Sequence, residues 1–177
     1  MFKKALLSLG VVLVLFLGFV STREGQFNYE RSVVINAPAD KIYPYISNFK
    51  LGSQWNPFDQ KDPNMKRTFL GNDGEVGSAM EFEGNSEAGS GKLDMLSLVA
   101  NTEAQIRLTM TKPFNAENLI IYKLTPEGEG TRFTWTMSGD GGFLGKLMNT
   151  LIDCEKMVTD EFEKGFQNLK VIIENQK

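Results

Sequence analysis

Hydrophobic patterning changes twice along the 177-residue chain. A nearly continuous apolar run from Ala5 to Val20, interrupted by Ser8, Gly10 and Gly18, follows Lys3 and Lys4. From Tyr29 onward, short stretches alternate apolar and polar residues and are divided by glycine, asparagine or proline. Finally, Leu144 to Glu174 places Leu147, Leu151, Cys154, Val158, Phe162, Leu169 and Ile173 at steps of three, four or seven. Strict alternation is the signature of a half-buried strand, whereas steps of three and four mark one face of a helix.

The middle regime predicts strands over 29–36, 65–70, 78–84, 91–99, 104–112, 117–125 and 131–138. Phe133, Trp135 and Met137 fall on one face of the last strand, against Arg132, Thr134 and Thr136. The 104–112 strand repeats the pattern with Ile106, Leu108 and Met110. Two short helices are predicted after the first strand. One runs from Asp40 to about Asn48, and the second runs from Phe49 and ends before Pro57. Residues 139–143 read as a flexible loop, and 144–174 as one long amphipathic helix. Tight dividers between strands favour an antiparallel meander over βαβ units. The fold class is therefore α+β. A strongly curved antiparallel sheet of about seven strands grips the long C-terminal helix, because both apolar faces must be buried together. The space between them is either packed solid or left as a cavity.

At ~1.5 Å per residue the N-terminal run spans ~24 Å as a helix, against a bilayer core of ~30 Å. Lysines that snorkel close the gap. Residues 1–22 are thus expected to be a transmembrane anchor or a signal helix. Around Gly18 to Thr22 there is no Ala-x-Ala pattern of the kind that marks a cleavage site. Lys3 and Lys4 favour a cytoplasmic N-terminus, which would put the domain on the extracytoplasmic side; cleavage would make it a secreted protein. Residues 23–28 read as a tether and 29–177 as the folded domain.

Composition narrows the function. Nineteen basic against 22 acidic residues give a net charge of −3, which makes nucleic acid an unlikely partner. The absence of histidine excludes Ser-His-Asp and Cys-His catalysis and histidine-based metal sites. A single cysteine, Cys154, forms neither an internal disulfide nor a metal cluster, and its place on the apolar stripe favours a small buried hydrophobe. Glu81 and Glu83 alternate with Met80 and Phe82, so they belong to the wet face of their strand. Asp59, Asp62, Asp73 and Glu75 lack the spacing of a calcium loop, and the glycine strings match no phosphate-binding motif. No catalytic residue, metal site or cofactor is assigned.

Several strings carry a resemblance. They include Val33 to Ala39, Trp55-Asn56-Pro57, Val76-Gly77, Phe82 to Asn85, Gly89 to Leu93, Lys112-Pro113-Phe114, Gly130 to Trp135 and Asp160 to Lys170. In this order they resemble the START-like helix-grip superfamily, and within it the polyketide cyclase/dehydrase and lipid-transport (SRPBCC) family, over about residues 27–174. Phe82 stands where similar sequences often carry Trp. The resemblance implies a cavity for a small hydrophobic molecule, lined by Trp55, Phe82, Leu108, Met110, Tyr122, Phe133, Trp135, Met137 and Phe143. Access is expected between the 139–149 loop and Trp55, with Tyr122, Asn118 or Ser97 orienting the ligand. A carrier or sensor is one outcome. A cyclase or aromatase using the same cavity, or a ligand-free scaffold with a packed core, are the others. An enzyme would need an acid or base pointing inward, and none stands clearly on an apolar face.

Overall fold

The computed structural model of the chain describes residues 2–175. The alternating stretches become strands β1 (Gln26–Ile35), β2 (Lys66–Leu70), β3 (Ala79–Glu83), β4 (Ser90–Val99), β5 (Glu103–Lys112), β6 (Ala116–Glu127) and β7 (Gly130–Asp140). They form one seven-stranded sheet in the order β1-β7-β6-β5-β4-β3-β2, with every neighbouring pair antiparallel. The connection from β1 back to the far edge is made by α2 (Ala39–Ser47), α3 (Phe49–Gly52) and α4 (Pro57–Gln60). The C-terminal segment supplies α5 (Gly142–Leu151) and α6 (Cys154–Glu174), and the N-terminal run supplies α1 (Phe2–Ser21).

The inward face of the sheet follows the predicted alternation. Phe133, Trp135 and Met137 of β7 are buried, as are Ile120, Tyr122 and Leu124 of β6 and Met80 and Phe82 of β3. Against them α6 sets Phe162, Phe166, Leu169 and Ile173, each buried at helical spacing. Trp135 stacks on Phe162 with ring centroids 4.2 Å apart, and Phe133 meets Phe166 edge-on at 5.3 Å. Glu81 and Glu83 are exposed, as their alternation with buried neighbours requires.

Four local expectations change. Three short helices follow β1 instead of two, because Pro57 opens α4 where a stop was expected. The Asn56 side chain caps α4 by accepting from the Phe58 N–H at 3.0 Å, and proline at the first position costs no helical hydrogen bond. The expected C-terminal helix is divided at Ile152, which is extended; Asp153 caps α6 by accepting from the Lys156 N–H at 2.8 Å. The apolar stripe consequently fails at its start: Leu151 is exposed, whereas Phe162, Leu169 and Ile173 are buried. Strand β1 begins at Gln26 by pairing with Asp140, so the connection between α1 and the sheet is 22–25.

The fourth change concerns α1. Among the described residues no helix is long and apolar enough to cross a membrane, so the spanning form of the N-terminal expectation is not met. The helix does expose apolar side chains, among them Leu6, Leu7, Leu13, Leu15 and Phe19. Its C-terminal end meets α5, where the Lys146 ammonium donates to the Ser21 carbonyl at 3.1 Å.

Candidate functional site

Inward-facing residues of the five strands β3 to β7, the segment around α4 and the β3–β4 connection line a cavity of about 260 Å³. Its floor is Leu108 and Met110 of β5, Asn118 and Ile120 of β6, and Trp135 and Met137 of β7. Met80, Phe82 and Leu93 form one side wall; Phe58, Asp59, Lys61 and Met65 close the other. Glu87 and Ala88, in the β3–β4 connection, stand at the mouth with Lys61. Access therefore lies between α4 and that connection, not beside the 139–149 segment. Phe58 of α4 and Lys61 just after it line the cavity, and no residue of 139–149 does.

Position of α4 is fixed from below by α6. The Asn168 side chain donates to the Trp55 carbonyl at 3.0 Å. Gly165 presents no side chain where Pro57, Trp55 and Trp135 approach the helix; a Cβ there would lie 3.0–3.2 Å from all three. Trp55 is held in turn by its indole N–H, which donates to the Tyr45 carbonyl at 2.8 Å.

Asp59 is the one carboxylate of the cavity wall that is buried. Its Oδ1 accepts from Arg67 Nε at 2.8 Å and from Ser53 Oγ at 3.3 Å, and Arg67 Nη2 donates to the Asp59 carbonyl at 2.9 Å. Burial pushes the carboxyl pKa up, and the hydrogen bonds and charge of Arg67 offset only part of that rise. Beside this carboxylate lies a second, much smaller chamber of about 30 Å³, walled by Ser53, Trp55, Asn56, Asp59 and Tyr122 among others. Burial drives the Tyr122 hydroxyl pKa strongly upward and the Asp59 charge adds to the effect, so the phenol is neutral. Among the described residues, Trp135 Nε1 is the single side-chain polar atom wholly shut off from solvent that has no partner.

Of the residues expected to line a cavity, Phe82, Leu108, Met110, Trp135 and Met137 share the larger space, as does Asn118. Trp55 and Tyr122 face the small chamber. Phe133 sits in the packed aromatic cluster with Trp55, Tyr122 and Phe166 around it. Phe143 is half-exposed on α5, and Ser97 lies at a register shift of β4. Asp59, which the sequence offered only as an acid without calcium-loop spacing, joins the site with Met80, Leu93, Ile120 and the 58–65 segment, none of which was expected to line it. For Asp59 the signal was present: an Asn-Pro helix start puts the acid in the first turn, where the helix dipole favours it.

A single antiparallel sheet closed by a C-terminal helix, with a cavity between the sheet and the segment after β1, defines the helix-grip class. Within that class, the chain belongs to the polyketide cyclase/dehydrase and lipid transport family, whose pattern matches residues 26–174. Solved structures agree on the fold. Norcoclaurine synthase from Thalictrum flavum, solved with dopamine and hydroxybenzaldehyde, is 14% identical with a TM-score of 0.65, over 89% of this chain and 91% of that one. Protein MLL2253 from Mesorhizobium loti is 15% identical with a TM-score of 0.64, over 85% and 99%. Major latex-like protein 151 from Panax ginseng is 9% identical with a TM-score of 0.60, over 84% and 98%. No curated protein matches the chain by sequence.

Proposed function

We propose that the protein binds and carries a small hydrophobic molecule, lipid-like or aromatic, in the cavity between the sheet and α4. The observation that carries this reading is the 260 Å³ space walled mainly by Met, Leu, Ile, Phe and Trp side chains, with Asn56, Asp59, Lys61, Glu87 and Asn118 as its polar members. An apolar cavity of about 150 Å³ accepts benzene, so this one accommodates a ring with further atoms or a short chain. Four of the wall residues, Met65, Met80, Met110 and Met137, are flexible thioethers that adapt to a guest. Removal of apolar area from water, at ~25 cal/mol per Å², supplies the affinity. Native mass spectrometry of the purified full chain tests this directly. An organic adduct released on denaturation is expected; a bare chain that takes up no added apolar molecule contradicts it.

One observation favours the enzyme reading. The buried Asp59 carboxyl, with its raised pKa, stands on the cavity wall where a proton-transfer group would be needed. That reading requires turnover of a bound ligand that is lost in Asp59→Asn while binding survives; binding without turnover leaves the carrier. The similarity to norcoclaurine synthase adds only that the fold accommodates such chemistry.

We further propose that the domain is exported, with the Lys3-Lys4 and apolar run acting as the export signal, and that α1 then holds it at a membrane surface without crossing the bilayer. The support is the exposed apolar surface of that helix, which water does not stabilise. Full-length protein should then stay with membranes through a high-salt wash, since hydrophobic attachment is not screened. A mature N-terminus near residue 21 would mean a secreted protein instead.

A further inference from the structure

The ligand cavity and the small chamber share Asn56, Asp59, Met80, Leu93 and Ile120 as a common wall. The chamber's 30 Å³ is room for two or three water-sized groups, at about 10–15 Å³ each. Its polar groups are matched to such a guest. Both side-chain hydrogen bonds to Asp59 end on Oδ1, so among the described residues Oδ2 takes none. The Tyr122 hydroxyl likewise makes no hydrogen bond among the described residues. One acceptor and one neutral donor thus flank a space beside a mainly apolar site.

We propose that this chamber is a polar subsite that receives the hydroxyl of an otherwise apolar ligand, and that the protein's ligands are neutral alcohols or phenols. The inference rests on the carrier reading and specifies its ligand class. The ligand O–H donates to Asp59 Oδ2, and its oxygen accepts from the Tyr122 hydroxyl. A carboxylic acid is rejected, because its anion would lose its hydration against Asp59 Oδ2, an acceptor with no hydrogen to donate to it. An ammonium gains little, because Arg67 at 2.8 Å already neutralises Asp59 and a second buried cation would lose its hydration uncompensated. A plain hydrocarbon binds in the cavity but leaves the chamber's polar groups unused.

Calorimetric titration of the full chain with benzyl alcohol, toluene, benzoate and benzylamine separates these cases, since the four share one ring. Benzyl alcohol should bind about tenfold more tightly than toluene, the worth of well-made buried hydrogen bonds, and benzoate more weakly than either. Tyr122→Phe should reduce the alcohol-to-toluene ratio towards one while leaving toluene affinity within about twofold. Asp59→Asn should relax the rejection of benzoate. The wild-type ratios stand even if a variant fails to fold. Toluene or benzoate binding as well as the alcohol, or benzylamine binding better than it, would overturn the subsite and leave the carrier reading intact. No binding of any of the four would overturn both.

Discussion

The Asp59 carboxylate is desolvated on the cavity wall and paired with Arg67, two effects of opposite sign on its ionisation. Desolvation prevails, so the folded protein holds this proton more tightly than the unfolded chain does. The contribution of Asp59 to stability is therefore fully present below the ordinary aspartate pKa, about 3.9, and is lost as pH rises through the raised folded value. Melting temperatures of wild type and Asp59→Asn, compared across that window, should show the wild type losing ground as pH rises; a pH-independent difference would contradict a desolvated carboxylate. Cys154 offers a second residue-scale check. It is half-buried at the first position of α6, where burial raises the thiol pKa and the Asp153 charge raises it further. Asparagine caps a helix about as well as aspartate, so Asp153→Asn removes the charge and keeps the cap. Alkylation of Cys154 at neutral pH should be faster in Asp153→Asn than in wild type, with the melting temperature nearly unchanged. Equal rates would mean that the neighbouring charge does not govern the thiol.

Among the elements, α6 carries a glycine in its interior, which ordinarily costs a helix about 1 kcal/mol relative to alanine. Gly165→Ala should nonetheless destabilise the protein. Its Cβ would lie 3.0 Å from Trp135 Cζ3 and Pro57 Cδ and 3.2 Å from Trp55 Cζ3. None of these yields easily: Trp135 is stacked on Phe162 and Trp55 is tied to the Tyr45 carbonyl. Overpacking of about 1–3 kcal/mol should exceed the propensity gain, leaving a net loss near 1 kcal/mol in urea unfolding. A stabilised Gly165→Ala would show that α6 and the Trp pair are loosely packed. The same elements show where sequence reading succeeds. Every strand was legible because alternation with period two leaves little room for another reading, as in Phe133, Trp135 and Met137. The breaks were not. The helical spacing runs through Leu151 and Cys154 without interruption, so the capping role of Asp153 was hidden behind a continuous stripe. Asn56-Pro57 carries opposite meanings, a stop for the helix before it and a start for the one after. Misplacing α4 also concealed the cavity mouth and the buried Asp59, since both depend on where that helix sits.

In the whole molecule the interior is neither solid throughout nor hollow throughout. On the α6 side, Trp55, Tyr122, Phe133, Trp135, Phe162 and Phe166 interlock with ring centroids between 4.2 and 6.3 Å apart. On the β3–β5 side, the sheet and α4 stand apart and leave the 260 Å³ cavity. This division lets one core hold the fold while the other space is free for a guest, and Trp135 belongs to both. Which inward positions pack and which line a cavity was not legible in the sequence, because alternation marks a buried face without saying what covers it. The central claim is that the cavity is a binding site, and filling it is the most direct test. Leu108 lies on the cavity floor and is only half-buried, so Leu108→Trp occupies the space with little strain on the aromatic core. Titration of both proteins with benzyl alcohol should give saturable one-to-one binding in wild type. In Leu108→Trp the affinity should fall at least about tenfold with the unfolding midpoint preserved. Equal affinity in the two proteins, or no binding by the wild type, would contradict the account.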